Sequence, residues 1–167
     1  MNNREFTEWL SSFGKNRLPM WNELPDLDLY MDQITFEVDR NVAFILEKPI
    51  TKAMINSYVK MEVIDKPEKK KYSRKHLASI IVVSIMKQVF PLDIIKKGIN
   101  KVFELDQPEV GYDNFVSLFN QEMELLESQS AIADLKIDDD QLKMAQIVAI
   151  RSVVYKEIAN KVAEFDK

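Results

Sequence analysis

Residues 51–90 read TKAMINSYVKMEVIDKPEKKKYSRKHLASIIVVSIMKQVF. Thr51 suits the N-cap of a helix running to about Met61. Asp65 to Tyr72 is a breaker region, with Pro67 and the run Lys69, Lys70, Lys71. Ser73 suits the N-cap of a second helix, from Arg74 to about Gln88. Its run Ile80, Ile81, Val82, Val83 has strand propensity, but 15 residues without a breaker is long for a strand. The stretch therefore predicts helix, basic turn, helix.

Helical spacing continues on both sides. Phe6, Trp9, Leu10 and Phe13 predict a short amphipathic helix over Arg4–Phe13, with Gly14 as its C-cap. Residues 15–25 hold Pro19 and Pro25 around Met20, Trp21 and Leu24, which reads as an extended linker with apolar anchors. Pro25 suits the first turn of a helix reaching about Leu46, with Asp26 and Asp28 at the positive end of its dipole. Pro91 opens a helix over about Leu92–Phe103. A loop over residues 105–111 contains Pro108 and Gly111, and a helix follows from Tyr112 to about Glu127. After a polar connection, Asp138, Asp139 and Asp140 suit the N-cap of a last helix, about Gln141–Phe165. A magnesium site at these aspartates would need further oxygens.

Composition agrees with few, long elements. Glycine and proline number only 3 and 6 in 167 residues. A chain of this size buries about 70% of its unfolded surface, enough for one domain with a core. There are no cysteines and one histidine, which excludes a disulfide scaffold, a thiol nucleophile and a histidine metal cluster. No nucleophile–base pair or phosphate loop is present, so no enzyme activity, catalytic residue, metal or cofactor is expected. The N-terminus lacks an apolar signal region. The most apolar stretch, Leu77 to Met86, is ten residues long and too short to span a bilayer. The expectation is a soluble cytoplasmic protein with no membrane partner.

Charge is unevenly spread. Lys52 to His76 carries eight lysines and arginines against three acids, a net +5, while the remainder carries −9. Such a patch points one face at an anionic partner, or forms a solvated hairpin kept soluble by its lysines.

The segment from Thr51 to Ile99 resembles the DNA-binding module of MerR-type transcription regulators. In those proteins a recognition helix ends in a tyrosine, a few residues and an apolar pair, here Tyr58 and Val63-Ile64. A basic wing ending in Arg-Tyr-Ser follows, here Lys71-Tyr72-Ser73, and then two helices. Residues 18–33, LPMWNELPDLDLYMDQ, together with 51–60, TKAMINSYVK, resemble a bacterial family labelled domain of unknown function 1836, itself similar to MerR regulators. The likeness covers about residues 18–104.

The resemblance implies an all-α fold with a MerR-like winged helix-turn-helix core (26–104), an N-terminal helical arm (1–25) and a C-terminal two-helix extension (105–167). It implies a regulator reading double-stranded DNA with the helix 51–61 and the wing 65–72. Lys52 and Asn56 are then expected at the bases; Asn56 falls where many MerR-like helices carry arginine, and asparagine can hold adenine bidentately. Tyr58, Lys60, Lys69, Lys70, Lys71, Tyr72, Arg74 and Lys75 are expected at phosphates. Tyr58 and Tyr72 are equally readable as core aromatics, and His76 as a surface or capping residue. Trp9 and Trp21 read as anchors of the arm. Glu62 stands where MerR proteins usually turn at glycine. With the overall charge of −4 and the acids inside the wing, it supports the other reading, a helical protein–protein interaction module without DNA binding. A homodimer is expected through Ile147, Val154, Ile158 and Val162 of the last helix, whose apolar residues spread wider than one packing stripe. The operator and any small-molecule effector are not legible.

Overall fold

A computed structural model describes residues 3–130 and 140–164. They form α1 (Asn3–Gly14), a 3-10 turn (Trp21–Glu23), α2 (Met31–Val42), α3 (Lys52–Lys60), α4 (Arg74–Met86), α5 (Leu92–Leu105), α6 (Pro108–Glu127) and α7 (Gln141–Glu164). The protein is all-α. Among the described residues no strand forms, only isolated antiparallel bridges between Leu29 and Tyr72 and between Glu68 and Lys71. None of these helices is long and apolar enough to cross a membrane. The chain divides into two compact units, Pro19–Asn114 and Met1–Leu18 with Phe115–Lys167.

The unit Pro19–Asn114 is built around α4. Leu77, Ile80, Ile81, Val83 and Ile85 are fully buried there, and Ser84 is buried with them. Burial on nearly every side explains how this β-branched run stays helical: tertiary packing outweighs intrinsic propensity. α2 lays Ile34, Val38 and Val42 against α4, and α3 and α5 pack beside them. The start of α4 is fixed locally. The Ser73 N–H donates to His76 Nδ1 at 3.0 Å, so histidine takes the place usually held by Glu or Gln in a capping box.

Two expectations change here. The helix expected from Pro25 to about Leu46 is shorter, Met31–Val42. Leu29 and Tyr72 exchange both backbone hydrogen bonds at 2.8 Å, which holds the chain extended before Tyr30. The Tyr30 N–H then donates to Gln33 Oε1 at 2.9 Å and opens α2. Residues 108–111 are helix rather than loop, since Pro108 occupies the first turn, where its missing N–H costs nothing. Gly111 lies inside that turn because a Cβ there would come within 2.5 Å of the Val102 side chain.

In the other unit, Phe13, Leu18, Phe115, Val116, Phe119, Met123, Leu126, Ile150, Val153 and Val154 form the core. Gly14 is not a left-handed C-cap. A Cβ on it would lie 2.3 Å from the Glu127 backbone nitrogen, so glycine is what lets α1 and α6 touch. Asn120 fixes the chain after α1, accepting from the Leu18 N–H at 2.8 Å and donating to the Leu18 carbonyl at 3.0 Å. Arg151 of α7 and Glu122 of α6 form a two-pronged pair at 2.9 Å, with side chains only 14% and 13% exposed. Hydrogen bonding to Glu122 raises the Arg151 pKa further. Asp140 caps α7, its Oδ1 accepting from Leu142 and Lys143 at 3.0 Å; Asp138, Asp139 and Phe165 lie outside the described residues. Val154 is 1% exposed and belongs to this core, which corrects its expected place on a dimer surface. Ile147 and Ile158 are half-buried, and Val162 is exposed.

Candidate nucleic-acid interface

α3 begins where expected: the Met54 N–H donates to Thr51 Oγ1 at 3.2 Å. Ile55 and Tyr58 bury one stripe of this helix, while Lys52, Ala53, Asn56, Ser57 and Lys60 are exposed. Those five positions follow the i, i+1, i+4, i+5, i+8 spacing of a single helical face. No acidic residue lies in α3. Its outward face is therefore basic and polar, with two small side chains near the middle.

The helix stops in a Schellman turn. Val63 N–H reaches the Tyr58 carbonyl at 2.9 Å, and Glu62 N–H reaches the Val59 carbonyl at 3.0 Å. The left-handed residue is Glu62, at φ 55°, where glycine is usual. Its carboxylate is not left facing outward alone, because Lys96 Nζ of α5 pairs with it at 3.1 Å.

The basic turn is a two-residue reversal. Lys71 N–H donates to the Glu68 carbonyl at 2.8 Å. Between them Lys69 and Lys70 both adopt left-handed backbone, φ 48° and 66°. Positive φ at both central residues is the requirement of a type I′ hairpin turn, normally met by Asn-Gly. Two lysines there carry a strain of about 1–2 kcal/mol each. They sit exposed at the tip. Lys71 turns back, its ammonium 5.5 Å from the Tyr30 ring centre.

The base of this turn is held by the sole histidine. His76 Nδ1 accepts from Ser73, so the ring proton is on Nε2, which donates to the Lys66 carbonyl at 3.3 Å. The Tyr72 ring meets the imidazole edge-on at 5.6 Å. His76 thus joins the first turn of α4 to the segment carrying Lys66.

The expected phosphate residues do not all stand alike. Lys60, Lys69 and Lys70 are exposed and reach outward. Lys75 is bound to Asp65 at 2.6 Å and Arg74 to Asp26 at 3.3 Å; Lys52, expected at a base, pairs with Asp32. Arg74 also lies 5.9 Å from the Trp21 ring centre, in a shallow cleft that includes Asp28 and Ser73. Tyr58 and Tyr72 do not fit a phosphate role. They are 2% and 3% exposed, and burial pushes both hydroxyl pKa values up, with Ser84 partly offsetting this at Tyr58. They are core aromatics.

Sequence reasoning passes over Ala53, Ser57 and Lys96, and of its two readings of His76, surface or capping residue, the histidine takes the capping one while buried. Ala53 and Ser57 are within its reach: once Ile55 and Tyr58 are placed inward, the helical period turns residues 53 and 57 outward. Lys96 lies 34 residues beyond Glu62, and no local pattern joins them. Among the described residues no three metal-ligating side chains gather together.

A family model settles what the chain is related to. It matches residues 19–121, including all of α3, the basic turn and α4. The chain belongs to the family described as Domain of unknown function (DUF1836). No curated protein and no solved structure matches it.

Proposed function

We propose that this member of the family is a DNA-binding transcriptional regulator of winged helix-turn-helix type, similar in its core to MerR regulators. α2 and α3 form the helix-turn-helix, α3 enters the major groove, and residues 65–72 form a wing along the phosphates. The observation that carries this reading is the outward face of α3: Lys52, Asn56 and Lys60 separated only by Ala53 and Ser57, with no carboxylate in the helix. A polyanion groove accepts such a face and repels an acidic one. The strained Lys69–Lys70 tip supports it, because backbone strain of this kind is tolerated where the residue types serve a purpose. Asp26, Asp32 and Asp65 hold Arg74, Lys52 and Lys75 in the free protein, and phosphates replace these carboxylates on binding.

Those same pairs favour a second reading. Cations already matched by acids attract a polyanion less, and Leu27, Tyr30 and Phe36 are exposed apolar side chains nearby in sequence. On this reading the scaffold is a helical protein–protein interaction module. A gel shift against a random duplex pool separates the two.

Replacing Lys69, Lys70 and Lys71 together with alanine removes three charges and touches no buried apolar position. Thermal unfolding should stay that of the parent, while affinity falls on all duplexes. The slope of log affinity against log salt should become shallower by about 0.9 for each phosphate that is no longer neutralised. Parent-like affinity in the triple variant removes the wing. α7 carries the expected homodimer contact through Ile147, Ile158 and Val162. Sedimentation equilibrium at micromolar concentration tests it: a 19.5 kDa species unchanged by DNA ends the dimer.

A further inference from the structure

The base-reading reach of α3 falls on residues at its centre. Lys52 is drawn sideways to Asp32 of α2. Asn56 is exposed, and its amide is not tied down within the protein, whereas the amides of Asn16, Asn41 and Asn120 each bond a backbone carbonyl. The Ala53 methyl lies beside it, three residues earlier on the same face. Residues spaced i, i+3 have Cβ atoms about 5–6 Å apart. Bases along one strand rise by about 3.4 Å per step. One turn of α3 therefore spans one to two base steps. Small side chains at 53 and 57 let the helix axis come close to the groove floor, which a short asparagine needs in order to reach a base edge.

Resting on the DNA-binding reading above, the geometry points to an A·T-containing core in the duplex that α3 recognises: Asn56 holds adenine N6 and N7 bidentately, and the Ala53 methyl packs on the C5-methyl of a thymine one or two steps away. Adenine is the base whose major-groove edge offers one donor and one acceptor side by side, matching the asparagine amide. Thymine is the base that presents a methyl there. Ala53 is thus a specificity-determining residue, a role its size alone would not suggest.

The test uses the full chain. Duplexes are selected from a random pool, and the enriched site is remade with 7-deazaadenine for adenine, which removes N7, or with uracil for thymine, which removes the methyl. The selected site should contain an A·T pair. The deaza duplex should bind about 5- to 150-fold more weakly, and Asn56→Ala should bind both adenine forms equally. The uracil duplex should lose a few-fold, and Ala53→Ser, which keeps a helix-compatible side chain, should abolish that difference. Enriched sites without A·T, or sites indifferent to both analogues, overturn this inference while leaving DNA binding intact. Enrichment of no duplex at all overturns the DNA-binding reading and this inference with it.

Discussion

α3 and α4 stand side by side in sequence and are capped by similar residues, Thr51 and Ser73, yet they are opposite in kind. α4 is enclosed on nearly every side, and its apolar run is the centre of its unit. α3 buries only Ile55 and Tyr58 deeply and keeps a charged and polar face in water. The difference separates two jobs. α4 secures the fold, so nearly every one of its side chains is constrained by packing. α3 needs only a narrow anchoring stripe, and most of its remaining positions are left to solvent rather than fixed by packing.

The contrast makes graded predictions. The largest effect belongs to α4: Ile81→Ala should lower stability by about 2–5 kcal/mol, read from chemical denaturation. A loss under about 1 kcal/mol would mean that α4 is not the packed centre. On α3 the loss should move from stability to binding. Asn56→Ala should cost about 1–3 kcal/mol on the selected duplex, far less on a scrambled one, and leave the melting temperature near that of the parent. Equal losses on both duplexes would make Asn56 a phosphate contact.

The junction between the helices sharpens the comparison further. Glu62→Gly relieves the left-handed backbone at the end of α3 at the cost of one exposed ion pair with Lys96. It should stabilise the protein by about 1 kcal/mol. A destabilised variant would show that the Lys96 pair outweighs the strain. Smallest is Gly98→Ala on α5. A Cβ there meets no atom within 4 Å, so about 0.5–1 kcal/mol of stabilisation is expected in the same denaturation assay. An unfolded variant would reveal an unseen close neighbour. Gly14 and Gly111 cannot take the change, because a Cβ at either falls within 2.5 Å of another group.

What can be read in the sequence follows from how local each cause is. The caps Thr51 and Ser73 and the helical spacing of α1, α3, α4 and α5 are written within a few residues, and these elements stand where the sequence places them. The start of α2 depends on Leu29 pairing with Tyr72, 43 residues away, so its extended entry has no local sign. Gly14 and Gly111 carry the ordinary signature of a helix end or a loop, and only the surfaces opposite them reveal a packing role. At the candidate interface, the exposed lysines of the tip are legible from charge. The type I′ turn is not, because Lys-Lys is the wrong residue pair for it. Tyr58 and Tyr72 have two open readings in the sequence, and burial decides for the core.

The position of His76 has a practical consequence. It is the sole histidine, and it ties the base of the basic turn to α4 through both ring nitrogens. In a proton magnetic resonance spectrum recorded in deuterium oxide, the chain therefore contributes a single imidazole Cε1–H signal. That one line watches the base of the basic turn without isotopes, dyes or engineered probes. On the proposed DNA-binding reading, its shift on adding a duplex would follow the basic turn settling onto the nucleic acid, at a spot where no nucleic acid need touch the reporter itself.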